Sequence, residues 1–387
     1  MTTIRGMTST DRLADWITLV DASYPEREAQ GWDATGVQVG APDDEVRTVM
    51  VTLDVTDAVL DEAAGAGADL IIAHHPLLFR PLERLTPDTA AGRLALRAAR
   101  QGCAIVAAHT NFDAASPGTT DPVTDALGLT DVRPLQTLPA EDLGTVKLVV
   151  FVPQEDTDAV LAAISDAGGG RIGEYDQCSF RTTGTGTFRP SAAANPAVGA
   201  RGERNEVVED RLEVIVPQGL LGRVVEAMTE AHPYEEVAHD LIPLTAAPPE
   251  RGIGRIGTLP AAESLRDLAD RLAVALDTRH LRVVGDLERR VRRVAACGGA
   301  GDGLIGVALA AGADLYVTGD LRHHPALDAA TQGLALIDAG HWATEAPALS
   351  ALTDTLAETA AAGGLRARLL ASRTRTEPWA DYTPPLT

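Results

Sequence analysis

Asp69-Leu-Ile-Ile-Ala-His-His-Pro-Leu-Leu-Phe79 joins a short apolar run to a histidine pair, and the fold can be read outward from it. Leu70 to Ala73 contains β-branched residues and lies between Gly67 and Pro76, which predicts a buried strand. Neighbouring side chains of a regular strand point to opposite faces. His74 and His75 can therefore share one crevice only where the strand ends and Pro76 takes the chain out of the sheet. Open α/β sheets bind ligands at the carboxyl ends of their strands. The competing reading is a pair of partly buried histidines bonded to backbone, and these residues alone leave both readings open.

Upstream, Val46 to Leu53 reads as a strand ending at Asp54, with Thr56 capping a helix from Asp57 to about Ala64. Downstream, Thr86 and Pro87 predict a helix start, Gly102 stops that helix after Gln101, and Ala104 to Ala108 forms a third strand running into His109-Thr-Asn-Phe-Asp113. The C-terminal part repeats the plan. Val291 to Cys297 is a strand, Asp302 to Ala311 a helix, and Gly312-Ala-Asp-Leu315 repeats Gly67-Ala-Asp-Leu70. The next strand ends at Thr318-Gly-Asp320, before a second His-His-Pro at His323 to Pro325. A last strand, Leu334 to Asp338, leads into Gly340-His-Trp-Ala-Thr-Glu345. His341 and Glu345 have the i, i+4 separation of His109 and Asp113. Two βαβαβ units of this kind predict an α/β fold with a duplicated core and a shared crevice.

The remaining segments complete the plan. Leu13, Trp16, Ile17 and Val20 predict an amphipathic helix with a hydroxyl cap from Ser9 or Thr10, and the Gly31 to Gly40 loop makes Asp33 a turn aspartate. Between the repeats, strands at Lys147 to Pro153 and Arg211 to Pro217 alternate with helices at Thr157 to Ala167 and Leu220 to Ala231. That order predicts a ferredoxin-like α+β insertion, with Pro243 to Pro249 as the returning linker. The expected domains are 1–143, 144–246 and 247–387.

A formal charge of −22 argues against nucleic acid as a partner, because phosphate-backbone binders need a basic surface. Cys103, Cys178 and Cys297 are far apart and in no CxxC pattern, so neither a disulfide framework nor a thiolate zinc site is indicated. With no signal-peptide pattern and no window of about 18 apolar residues, a cytoplasmic, membrane-free protein is expected.

Two His/carboxylate pairs and a His-His dipeptide at strand ends assemble imidazole and carboxylate ligands suited to zinc, manganese, iron, cobalt or nickel. Their number exceeds what one four-coordinate ion needs, so two ions are expected, bridged by a carboxylate. His232 and His239 are assigned structural or surface roles. His323 and His324 either line the crevice or cap a helix. Gly298 to Gly303 reads as a tight turn before a phosphate seat.

The motifs W-D-A-T-G-V-Q-V-G, A-H-H-P-L-L-F, A-H-T-N-F-D, G-I-G-R-I-G, T-G-D-L-R-H-H and G-H-W-A-T-E, spread over the whole chain, resemble the NGG-interacting factor 3-like family. Its bacterial members are often labelled GTP cyclohydrolase 1 type 2 homologues. The middle segment resembles the longer members, whose insertion is similar to small trimeric signalling proteins of the nitrogen-regulatory and copper-tolerance type. The resemblance implies two divalent metal ions, with zinc leading, on His74, His75, Asp113, His341 and Glu345, and leaves His109 as a neighbour. It also implies a toroidal homohexamer. Trp342 stands where Tyr is usual in the family.

Two functions follow as expectations. One is a metal-dependent hydrolase of a nucleotide or related small molecule, with Glu345 or Asp113 bridging the ions and Glu345 as the catalytic residue to test. The other is a non-catalytic, metal-binding regulatory or scaffold protein acting through its insertion.

Overall fold

A computed structural model describes residues 10–138, 145–173, 175–244 and 251–380 as a mixed α/β protein divided into two units. One joins the first 138 residues to those from 249 onward, and the other holds the stretch between. Among the described residues no helix is long and apolar enough to cross a membrane. Cys103, Cys178 and Cys297 are free thiols. Most of the expected linker, from 245 to 249, lies outside the described residues.

The first unit contains two main sheets. In the five-stranded one, Arg368–Ala371, Thr48–Thr52, Leu70–Ala73 and Ala104–Ala107 run parallel, and Gly36–Val39 closes the edge antiparallel. Strand alternation assigns its two faces. Val49, Val51, Leu70, Ile72 and Val106 pack on the helices Leu13–Ser23 and Leu349–Gly363, while Met50, Ile71 and Ile105 pack on Asp57–Ala66 and Ala90–Gln101. The strands are buried on both faces, so they read as continuous apolar runs.

The six-stranded sheet has Ala335–Asp338, Leu315–Gly319 and Arg290–Ala300 parallel at its centre, flanked by antiparallel Arg282–Val284 on one side and by Gly252–Ser264 and Thr130–Thr137 on the other. The helix Leu265–Ala275 packs on one face, and Ile305–Ala310 and His323–Thr331 on the other. The two sheets interlock in sequence. The early strand Thr130–Thr137 joins the second sheet and the late strand Arg368–Ala371 joins the first.

Several helix ends differ from the sequence expectation. The first helix begins at Leu13 after a two-residue strand, without a hydroxyl cap. Asp15 Oδ2 instead accepts the Arg12 N–H at 2.8 Å. The helix expected from Thr86 starts at Ala90, with Thr89 accepting the Gly92 N–H, because a threonine three residues later offers the cap directly. Thr56 caps its helix as expected.

The second unit runs strand Thr145–Pro153, helix Thr157–Asp166, strands Ser179–Phe188 and Asn205–Pro217, helix Leu221–Ala231 and strand His239–Pro243. The sheet is wholly antiparallel, ordered fourth, first, third, second, with the core formed against the two helices. Here His232 binds the Phe151 carbonyl and accepts the Tyr234 N–H, and His239 binds the Val237 carbonyl.

Candidate metal centre

The carboxyl ends of three parallel strands in the first unit deliver the histidines. His74 and His75 follow Leu70–Ala73, His109 follows Ala104–Ala107, and His341 opens a short helix, His341–Glu345, after Ala335–Asp338. Asp54 and Asp320 follow Thr48–Thr52 and Leu315–Gly319. Just past the strand end the alternation rule no longer applies, and the rings of His74 and His75 lie 4.8 Å apart, on one side of the chain.

Each imidazole is held by its Nδ1. His74 Nδ1 lies 3.0 Å from the Ala108 carbonyl, His75 Nδ1 2.8 Å from Asp54, His341 Nδ1 2.8 Å from Asp320 and His109 Nδ1 2.7 Å from Asp33. A carbonyl oxygen only accepts, so His74 carries its proton on Nδ1, and the carboxylates favour the same tautomer in the other three. The Nε2 lone pairs are thereby left to face one another and two carboxylates. His75 and His341 Nε2 are 3.2 Å apart, and Glu345 Oε2 is 3.1 Å from the first and 3.2 Å from the second. His74 Nε2 is 3.6 Å from Asp113 Oδ1 and 3.7 Å from Glu345 Oε1. At these separations the Nε2 atoms and the carboxylate oxygens need a positive charge among them, supplied either by protons on His75 and His341 or by a metal ion that displaces those protons.

Two buried atoms show the same requirement. His74 Nε2 and Glu345 Oε2 have no aligned hydrogen-bond partner, although His74 is fully buried and Glu345 4% exposed. Burial opposes ionisation of Glu345, but contacts with His341, His74 and His75 hold its carboxyl well below the usual range. Burial likewise disfavours a charged His75, yet Asp54 and Glu345 raise it to about 10. His341 is raised to about 9 against burial by Glu345 and Asp320. The donor set fits divalent transition ions, with imidazole nitrogens and carboxylate oxygens oriented by outer carboxylates. Two groups of mutually close ligand atoms stand out, His74 with His75 and His109, and His75 with His341 and Glu345.

The structure thus brings together His74, His75, Asp113, His341 and Glu345, and draws in His109, whose ring lies 5.1 Å from that of His74. His323 and His324 stand exposed in the first turn of the helix His323–Thr331, beside one another and outside the ligand groups; they do not cap the helix either, since its N-cap is Arg322 and no side chain caps it.

Asp33 corrects the sequence reading. Its side chain is fully buried and accepts from His109 and from the Thr110 N–H and hydroxyl, as well as from Ala34 N–H in the local turn. Burial raises its pKa, but these bonds win and bring it to about 2. The glycine segment is also more than a turn. Gly298 and Gly299 continue the strand Arg290–Ala300, and at Gly299, φ +64°, a Cβ would collide with the Glu345 carboxylate. Only glycine permits that approach.

Arg255, from G-I-G-R-I-G, is 1% exposed and donates to the carbonyls of Gly252, Gly254 and Ala115 and to Asp121, tying the strand Gly252–Ser264 to the chain just beyond Asp113. The signal for it was a cation set between Ile253 and Ile256 in a glycine-rich strand segment. Trp342 lies under the Arg375 guanidinium, 4.3 Å from its ring centroid, and is no part of the ligand set. Cavities of 450 and 750 Å³ adjoin the cluster. Both are lined by Phe79, His109 and His341, and exposed Trp32 stands edge-on to Phe79 with ring centroids 6.0 Å apart.

Similarity to known proteins extends over the same residues. The family model Duf34/NIF3 (NGG1p interacting factor 3) matches residues 12–378. A Mycobacterium tuberculosis protein called GTP cyclohydrolase 1 type 2 homolog is 46% identical over 340 residues, 87% of this chain and 89% of that protein. A Bacillus subtilis protein of the same name is 42% identical over 327 residues, 84% and 87% of the two chains. The crystal structure of a Bacillus cereus protein related to NIF3 superposes with a TM-score of 0.70 at 39% identity, covering 97% of this chain and 100% of that one. With the family model covering residues 12–378 and relatives above 40% identity matching most of both chains, the chain belongs to the Duf34/NIF3 (NGG1p interacting factor 3) family.

Proposed function

We propose that the chain is a dinuclear metal protein and a metal-dependent hydrolase of a nucleotide or related small molecule. The observation that carries this reading is the convergence of Nδ1-anchored imidazoles on a buried Glu345, with His74 Nε2 and Glu345 Oε2 lacking partners beside cavities that a small molecule can enter. In this reading His74, His75, Asp113, His341 and Glu345 would hold two divalent ions, zinc first among manganese, iron, cobalt and nickel, with His109 as a neighbour of His74 and His75. Such a pair lowers the pKa of water and stabilises the charge of a hydrolytic transition state.

The chain's own residues do the rest. Asp54, Asp320 and the Ala108 carbonyl fix each imidazole through Nδ1 and direct its Nε2 into the cluster, and the Thr119 hydroxyl orients Asp113. Glu345, buried and ionised, is placed to hold or accept a proton at the reacting water. Exposed Trp32 and Phe79 at the cavity rim offer flat faces to a heteroaromatic base. The names of the mycobacterial and Bacillus relatives support a guanine nucleotide as the first substrate to try.

The same reading treats the core, 1–143 with 247–387, as a duplication, and 144–246 as a ferredoxin-like insertion. The repeated parallel strand triplets support the first, and the βαββαβ order with its 4-1-3-2 sheet supports the second. A cytoplasmic homohexamer completes the proposal.

The test is elemental analysis of the purified protein, followed by turnover assays on nucleotides and phosphate esters with the metal found. About two ions per chain are expected, with turnover abolished in Glu345→Gln. Two ions without turnover would favour a non-catalytic regulatory role. Full activity and metal content in E345Q would remove Glu345 from the mechanism.

A further inference from the structure

The second unit contains a cavity of 580 Å³ that the metal centre does not use. Its size falls within the range of small-molecule sites, about 300–1,000 Å³. Phe151, Phe188 and Tyr234 line it together with Pro190, Pro196 and Val198, and the Phe188 and Tyr234 rings stand 6.4 Å apart at a tilt of 51°.

Into this apolar surround projects Glu209, from the strand Asn205–Pro217, with only 9% of its surface exposed. Its Oε1 accepts the Tyr234 hydroxyl at 2.9 Å. Its Oε2 lies against Gly186, where any side chain would collide with it, at the wall of the cavity. The nearby charges do not neutralise it. Glu235 and Glu236 add negative charge at the rim, Arg189 is exposed and donates to the Gly202 carbonyl, and Arg211 pairs with Glu213. Burial lowers the pKa of neighbouring His232, which keeps that imidazole neutral.

A carboxylate with little exposed surface, one neutral donor and an apolar surround offers its second oxygen to a cation that enters the cavity. Aromatic faces attract cations as well. We propose that this cavity binds a small organic cation, a primary ammonium carried on an aromatic or apolar body, with the nitrogen at Glu209 Oε2 and the body against Phe151, Phe188 and Tyr234. Acidic Glu235 and Glu236 at the rim favour the same charge. The site is independent of the metal centre and gives the second unit a ligand of its own.

The experiment is calorimetric titration of the full chain at neutral pH with three probes of similar shape, 2-phenylethylammonium, 2-phenylethanol and 3-phenylpropionate. One ammonium per chain is expected, with the alcohol at least about tenfold weaker for want of a charge-assisted bond, and the carboxylate excluded. Glu209→Gln keeps the shape and removes the charge, so it should abolish the preference for the ammonium over the alcohol. Phe188→Ala keeps the charge and removes one ring, weakening the ammonium by about two- to tenfold. The comparison of probes on the unaltered chain stands even where a variant fails to fold. No binding of the ammonium, equal binding of all three probes, or an E209Q chain with its preference intact would each overturn the proposal.

Discussion

Gly299→Ala is the most demanding test of the metal centre, because it changes no ligand and adds one methyl group. The residue sits at φ +64°, where an alanine costs about 1–2 kcal/mol relative to glycine. The new Cβ would also collide with Glu345 Oε1, and it would stand 2.9 Å from Glu345 Cδ and 3.2 Å from His341 Nε2. The strand cannot easily yield, since Gly299 N–H donates to Thr344 and the Gly299 carbonyl accepts from Thr318. Glu345 must move, and a buried carboxylate pulled from its partners costs about a further 1–3 kcal/mol. The sum, about 2–5 kcal/mol, corresponds to a fall of roughly 4–20 °C in Tm for a domain of this size. Metal affinity should drop by at least about 100-fold, more than the loss of an outer-shell partner usually costs. The assay is chelator competition with elemental analysis, alongside thermal unfolding. Gly303→Ala is the control, since nothing lies within 4 Å of its added Cβ. A G299A protein with unchanged metal affinity and midpoint would refute the placement of Glu345 in the cluster.

Asp54→Asn and Asp320→Asn remove the anions that orient His75 and His341, so each should weaken metal binding about 10–100-fold without abolishing folding; equal affinity in chelator competition would show the imidazoles need no such anchor. Asp33→Asn should act on His109 in the same direction, and metal binding wholly unaffected by it would confine His109 to a structural role. Arg255→Ala leaves three carbonyls and Asp121 without their donor, and denaturant unfolding should show a loss of about 3–5 kcal/mol; a change under 1 kcal/mol would mean that water replaces the guanidinium. Exhaustive chelation should lower the midpoint, since a metal at 100 times its Kd contributes about 2.7 kcal/mol per site, and readdition should restore it.

The sequence by itself determined the local elements and supplied the candidate side chains of the cluster. Apolar runs of four or five residues bounded by Gly and Pro marked the central strands, and the twofold Gly-Ala-Asp-Leu placed equivalent strands in both halves. His74, His75, His109, Asp113, His341 and Glu345 were legible as candidates because each lies within about seven residues of a strand end, where a short-range pattern suffices, and the narrower set without His109 came from the family resemblance. Tertiary structure alone decided what surrounds them. Asp33 reaches His109 across 76 positions, and Asp54 and Asp320 each reach a histidine 21 residues on, through the pairing of neighbouring parallel strands. A carboxylate in a glycine-rich loop has the same local signature whether it serves its own turn or a distant imidazole, which is why Asp33 read as a turn residue. Gly299 likewise looked like a turn glycine, because the carboxylate that requires it lies 46 residues away. The interlocking of Thr130–Thr137 and Arg368–Ala371 between the sheets was invisible for the same reason. Periodicity specifies which face of a strand is buried, and only long-range packing selects the strand beside it.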